Sequence, residues 1–230
     1  MVKEIVVDDI RIKLRRKNIK TLRLSVHPPK GEVRISVPNG VSDDAAIIFI
    51  KSKMEWIRNQ RARLKMSHME EPKEYITGER HSYLGKDYML ELQTTSAKQR
   101  VLLEDGRIIL FVREGHTREK RKKLINEWYR ERLKEMVPKY IKRWEPIMGV
   151  EVKAFGIKSM KTRWGTCNIR DKRIWVNLRL ATRDESLLEY IVVHEMTHIL
   201  ERLHNDRFKM LMTGFIPNWR ELKKELNGQK

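Results

Sequence analysis

Two histidines and a glutamate near the carboxyl end of the chain have the residue types and spacing of a hydrolytic metal site. His194, Glu195 and His198 lie in "HEMTH" and fit the pattern H-E-x-x-H. On a helix, the i and i+4 spacing places both imidazoles on one face, so one Zn²⁺ can bind both at about 2.0–2.1 Å. Glu195 is rotated from His194 by about 100°, so its carboxylate can reach a metal-bound water without ligating the ion. The pattern predicts His194 and His198 as metal ligands and Glu195 as the general acid/base of an amide hydrolase.

A catalytic zinc ion needs a third protein ligand, and His204 is the first candidate. If the helix continued, His204 would lie about 9 Å beyond His198 and about 120° away from its direction. The two histidines can share an ion only if the helix ends between them. We therefore predict a helix break near Leu203, with Asn205 or Asp206 capping a new helix.

The rest of the chain offers few alternative ligands. Cys167 is the only cysteine, which excludes a disulfide within the chain and a cysteine-rich zinc site. The metal site must therefore consist of histidine and carboxylate. A carboxylate from the last helices, Glu221 or Glu225, is the alternative third ligand, as in thermolysin-like enzymes, and we favour His204.

The segments around this site show the hydrophobic periodicity either of a helix or of a strand. Residues 184–200, "DESLLEYIVVHEMTHIL", have the apolar pattern of a buried amphipathic helix. "VEVKAFGI" and "SMKTRWGTCNIRDKRIWVNLRL" predict strands before it, and two short helices are predicted after it. A long helix is predicted from Thr117 onward, kinked or split at Pro138.

The first half of the chain is rich in predicted strands. "DIRIKL", "TLRLSV" and "EVRISV" alternate with period two, and further strands are predicted around "YLGKDYMLEL" and "RVLLEDGRIILFV". One helix is expected at about 42–66, and no internal sequence repeat is evident. We therefore predict an α+β protein with a strand-rich region at 1–113 and a catalytic domain at 114–230.

The charge balance indicates a second class of partner. The chain has 230 residues and a net charge of 50 − 31 = +19, which favours attraction to polyanions. The sequence has no base-reading motif, so we expect at most non-specific contact of the basic surface with nucleic acid. No apolar run approaches the roughly 20 residues of a membrane span, and we expect a cytoplasmic protein. The sequence does not indicate the oligomeric state.

Four stretches carry a resemblance to a known family: "MKTRWGTC" (160–167), "IWVNLRL" (174–180), "YIVVHEMTHILERLHNDRF" (190–208) and "PNWRELKKEL" (217–226). Together they resemble the YgjP-like metallopeptidases, small zinc proteins akin to the SprT-like and WLM domains. That family has approximately K-S-R-W-G-S-C, a strand ending in N-x-x-L, H-E-x-x-H, a third histidine six residues on, and S-x-x-F. Thr162, Thr166 and Asn205 stand where serine is common, and none of them is an expected metal ligand.

The resemblance implies a compact gluzincin-like (minigluzincin) catalytic domain with one zinc ion per chain. It implies His194, His198 and His204 as ligands and Glu195 as general acid/base. It also implies a cleft strand to whose edge a peptide or protein substrate adds. "RIWVNLRL" is our candidate for that strand, with core residues on one side and Trp175, Asn177 and Arg179 on the other. The expected core residues of this strand are Ile174, Val176, Leu178 and Leu180.

Two functions follow from these patterns. The first is a zinc-dependent metallopeptidase that hydrolyses peptide bonds through a zinc-bound water, with Glu195 as general acid/base. The alternative is a nucleic-acid-associated protein with a structural zinc site, or a peptidase that acts on DNA-bound proteins. The +19 charge motivates the alternative.

Overall fold

The computed structural model describes residues 2–27, 31–68 and 73–228. The chain forms two compact units, Met1–Pro72 and Lys73–Lys230. Both units combine helices with β-sheet, which confirms the α+β class. No helix in the described ranges has the length and apolar character to cross a membrane.

The first unit is a four-stranded sheet followed by two helices. Its elements are β1 Val2–Val7, β2 Ile10–Lys17, β3 Arg23–His27, β4 Glu32–Pro38, α1 Asp43–Ser52 and α2 Met54–His68. The strand order is β1-β2-β4-β3, with a parallel inner pair and antiparallel outer pairs. Alternate strand residues, including Ile12 and Ile35, are buried with Ile50 and Ile57 of the helices. One sheet face is therefore covered, as the period-two pattern predicts.

The helical part of this unit differs from the prediction of a single helix. Ser42 caps α1 by accepting a hydrogen bond from the backbone N–H of Ala45 at 3.2 Å, as its position predicts. The chain then leaves helical geometry at Lys53, where φ is −111° and ψ is 10°. The predicted helix at about 42–66 is thus two helices, α1 and α2.

The second unit begins with a sheet of the same topology as the first. Its strands are β5 Arg80–Tyr83, β6 Lys86–Thr94, β7 Arg100–Glu104 and β8 Arg107–Val112, in the order β5-β6-β8-β7. The inner pair is again parallel and the outer pairs are antiparallel. The two four-stranded sheets share one topology, although the sequences that form them show no internal repeat.

One long helix, α3 Arg118–Met148, covers this second sheet. Thr117 caps its start, and Gly149 ends it in the left-handed region at φ 64°. The helix is not split at Pro138. Pro138 is exposed, so the carbonyl that loses its hydrogen bond on this side of the helix can be hydrated.

The structure divides the chain at a different place from the sequence-based boundary after residue 113. Ile108 of β8 shares a core with Ile125 of α3, and the Tyr129 hydroxyl donates a hydrogen bond to the Ser82 carbonyl at 2.8 Å. The apolar face of a sheet must be covered, and here the helix that follows the strands covers it. Residues 73–113 therefore belong to the same compact unit as the rest of the carboxyl half.

A small sheet and three helices complete the second unit. They are β9 Ala154–Lys158, β10 Gly165–Asn168, β11 Arg173–Asn177, α4 Glu185–Leu200, α5 Asp206–Phe215 and α6 Trp219–Leu226. A 3₁₀ helix, Leu178–Thr182, joins β11 to α4. The sheet order is β10-β11-β9, and α4 packs against it with most of its apolar residues buried.

Candidate metal centre

Helix α4 carries His194 and His198 and ends before His204. It begins at Glu185 and is capped by Asp184, whose carboxylate accepts a hydrogen bond from the backbone N–H of Ser186 at 2.9 Å. It ends at Leu200, and Glu201 is already extended, with φ −144° and ψ 115°. The predicted break between His198 and His204 is thus confirmed, and it lies three residues before Leu203.

The new helix begins where the sequence predicted it. Asn205 caps α5 by accepting a hydrogen bond from the backbone N–H of Phe208 at 3.0 Å. His204 lies immediately before this cap, in the junction between the helices. No glycine or proline marks the break, so polar side chains must stabilise it.

Glu201 provides that stabilisation, and sequence reasoning missed it. Its side chain accepts a hydrogen bond from the backbone N–H of Leu203 at 3.1 Å. Its carbonyl lies 3.2 Å from Nδ1 of His198. With Nδ1 donating to that carbonyl, Nε2 of His198 keeps its lone pair for a ligand.

The break brings three imidazoles together. Nε2 of His194 and Nε2 of His204 lie 3.1 Å apart, and ligand atoms of His194, His198 and His204 lie within 4.8 Å of one another. Donors on a tetrahedral ion with bonds of about 2.05 Å are roughly 3.3 Å apart. The three histidines could hold a metal ion. The exposed carboxylates Glu221 and Glu225 are not part of this cluster.

The electrostatics keep the three rings neutral. Burial lowers the pKa of His194 to about 3, and the neighbouring His198 and His204 contribute to the shift. Burial also lowers the pKa of His198 and of His204. At neutral pH the rings therefore present lone pairs rather than protons, as metal binding requires.

Phe208 forms the floor of this cluster. Its ring centre lies 5.0, 4.8 and 4.7 Å from those of His194, His198 and His204. Phe208 is fully buried in the first turn of α5. One aromatic ring thus limits the rotation of all three histidines.

Glu195 lies beside the cluster and is almost completely buried, with 5% of its surface exposed. Burial raises the pKa of its carboxyl to about 8, and the charge of Arg163 opposes this shift. The carboxylate packs against the backbone of β10 at Gly165. A Cβ atom at Gly165 would lie 2.5 Å from Oε1 of Glu195, so any other residue there would displace the Glu195 side chain.

The family described as "YgjP-like, metallopeptidase domain" matches residues 20–229. The chain belongs to the YgjP-like metallopeptidase family. Among solved structures, the metallopeptidase zymogen of Pyrococcus abyssi abylysin is 17% identical, with a TM-score of 0.37 over 39% of this chain and 90% of that chain. No curated protein matches. The YgjP-like match includes every residue of the histidine cluster and extends into the first unit.

The strand predicted to take the substrate in this YgjP-like chain has no free edge. β11 pairs with β10 on one side and with β9 on the other. The prediction that a peptide adds to "RIWVNLRL" is therefore wrong, because β9 already occupies that edge. The strand also ends at Asn177, and the buried Leu178 and Leu180 lie in the 3₁₀ helix.

The three side chains expected to face a peptide have structural partners instead. Trp175 packs over Gly156, and its ring centre lies 3.5 Å from Nζ of Lys158. The Asn177 amide is buried and donates hydrogen bonds to two carbonyls of the loop before β10, at 2.9 and 2.6 Å. The guanidinium of Arg179 lies 5.0 Å from the ring centre of Trp164.

A cavity of about 710 Å³ opens beside the histidines. Residues 163–167 of β10 and the preceding loop form one wall, and Lys223, Leu226 and Asn227 of the carboxyl end form another. Within the described ranges, β11 is the only strand that pairs with β10, so β10 has a free edge. Lys223 lies close enough for its charge to lower the pKa of His194 and His204. No local motif could have placed Lys223 here, because its position depends on how α6 packs.

Proposed function

We propose that this YgjP-like metallopeptidase is a zinc enzyme of gluzincin-like architecture that hydrolyses peptide bonds. The observation that carries the proposal is the cluster of three neutral histidines beside a buried carboxylate at the wall of a cavity. Structural zinc sites are closed by four protein ligands, whereas catalytic sites have three and an open position. The described part of the chain offers three.

His194, His198 and His204 would hold the zinc ion, which would supply Lewis-acid activation of a water molecule and of the substrate carbonyl. Glu195 would take a proton from the attacking water and deliver it to the leaving amine. The charge of a bound cation favours the ionised carboxylate, whereas burial favours the protonated one. These opposing effects suit a group that must both accept and release a proton.

The substrate adds to the free edge of β10 rather than to β11. β10 runs alongside Glu195 at Gly165, and its backbone N–H and C=O groups can pair with an extended peptide. Such pairing positions a scissile carbonyl beside the histidine cluster. The cationic side chains of Arg163 and Lys223, both at the cavity wall, can stabilise the negative charge that develops on the carbonyl oxygen.

The experiment that tests this proposal is hydrolysis of a fluorogenic peptide library by the purified chain. We expect activity that a chelator abolishes and that about one equivalent of Zn²⁺ restores. Absence of hydrolysis across the library by the fully zinc-loaded protein would contradict the proposal.

A further inference from the structure

The sheet of the first unit has one covered face and one open face. Pairing register places the outward residues in three rows across the strands. The first row is Val2, Arg15, Ser36 and Arg23, and the second is Glu4, Lys13, Arg34 and Ser25. The third contains the pairs Val6 with Arg11 and Glu32 with His27.

Cations outnumber acids on this open face. We define the basic sheet face as Arg11, Lys13, Arg15, Arg23 and Arg34. Glu4 and Glu32 are the acids in the same rows, so the net charge of the rows is 5 − 2 = +3.

Three of these five cations form no ion pair with the described residues of this unit. Glu32 forms ion pairs with Lys13, at 2.7 Å, and with Arg34. Ion pairs among the described residues of this unit include none with Arg11, Arg15 or Arg23, and all three are exposed.

The spacing of the cations suits an extended polyanion. Arg11, Lys13 and Arg15 are alternate residues of β2, so they follow one another at roughly 6.6 Å along the strand. Arg23 lies two strands from Arg15, at roughly 9.5 Å across the sheet. Four of the five cations are arginines, whose forked donors match phosphate oxygens.

We propose that the basic sheet face binds nucleic acid through its phosphate backbone, without reading the base sequence. The three rows contain no Phe, Tyr or Trp on which bases could stack. The exposed apolar residues of the rows, Val2 and Val6, lie on one edge strand, and the face has no aromatic anchor for a lipid surface. This binding goes beyond hydrolysis, because all the histidines of the metal centre belong to the other unit.

The test compares two triple variants of the full chain that remove the same charge. The first is Arg11→Gln/Arg15→Gln/Arg23→Gln. The control is Lys122→Gln/Lys123→Gln/Lys139→Gln, at exposed positions of α3 that take part in no ion pair of the described residues. Fluorescence anisotropy measures binding of labelled oligo-dT and oligo-dA over a series of salt concentrations, and thermal unfolding checks that both variants fold.

We expect the wild-type chain to bind oligo-dT and oligo-dA with similar affinity. The control variant should bind them as the wild-type chain does. Each lost phosphate contact should reduce the slope of log K against log salt by about 0.7, so the first variant should lose about 2 in slope. Arg15→Gln alone should lose about 0.7, which supports the proposal even if the triple variant unfolds. Equal losses in both triple variants, no binding at low salt, or binding confined to phosphatidylglycerol vesicles would overturn it.

Discussion

Gly165 of β10 lies directly against the side chain of Glu195 in α4. Gly165→Ala places a methyl group where the Glu195 carboxylate now packs, so Glu195 must move, and the three atoms nearest to that methyl group include none of a histidine. We expect the variant to keep its zinc but to lose activity by about 10²-fold, because misplacement of about 1 Å has that effect. Peptide turnover and metal content, measured together, check this.

Gly214→Ala is the matched control for that substitution. A Cβ atom at Gly214 meets no atom within 4 Å, and the residue lies in α5. It should keep full activity and gain about 0.5–1 kcal/mol of stability from the better helix propensity of alanine. Similar turnover in both variants would show that contact with Glu195 is not what excludes a side chain at Gly165.

The raised pKa of Glu195 also predicts how the stability of the metal-free protein depends on pH. Burial raises the pKa of its carboxyl from about 4.5 to about 8, so the folded state holds a proton that the unfolded state releases. Stability should therefore fall as the pH rises from about 4.5 to about 8. Glu195→Gln removes this loss, and thermal unfolding in chelator should show a smaller decrease between pH 5 and pH 8. If the stability of the wild-type protein and of Glu195→Gln decreased equally between pH 5 and pH 8, the raised pKa of Glu195 would be contradicted.

The junction between α4 and α5 is the element on which the metal centre depends. Asn205→Ala removes the cap of α5 and should lower the free energy of unfolding by about 1 kcal/mol. Because His204 is adjacent to the cap, the affinity for zinc should fall as well. Ser42→Ala removes an equivalent cap in the first unit, so it should lower stability without changing zinc affinity. Competition with a zinc chelator and denaturant unfolding measure the two quantities, and unchanged zinc affinity in Asn205→Ala would refute the coupling.

Features that depend on local geometry could be predicted from the sequence. Features that depend on contacts between segments distant in sequence could not. The spacing of His194, His198 and His204 is enough to predict the helix break, because no continuous helix brings all three together. Asn205 was identifiable as a cap for the same local reason. The free edge of β10 was not identifiable, since it depends on β9 pairing with β11. Lys223 and the contact of Gly165 with Glu195 likewise depend on packing between elements distant in sequence.

The whole molecule consists of two units whose first sheets share one topology. Alternating sequence patterns predicted the strands of both sheets but not which helix covers each sheet, so the strands of both sheets were assigned to one region at 1–113. In the structure, each sheet is covered by the helices that follow it. The division therefore falls between Pro72 and Lys73 rather than after residue 113.

This division predicts which fragments fold. Residues 73–230 contain a complete core and should fold alone, bind zinc and hydrolyse peptides. Residues 114–230 lack the sheet that packs on α3, which exposes Ile125, Tyr129 and Leu133, so this fragment should aggregate or unfold. Circular dichroism and zinc content of the two fragments check this. Cooperative unfolding of the shorter fragment would contradict the division.

The most direct test of the account is one measurement on Glu195→Gln, in which zinc content and peptide turnover are determined on the same sample. In the proposed mechanism three histidines bind the metal and Glu195 moves the proton, so the variant should retain about one zinc per chain and lose turnover by about 10²–10⁴-fold. A zinc-loaded variant that hydrolyses peptides at the wild-type rate would contradict the central role of Glu195.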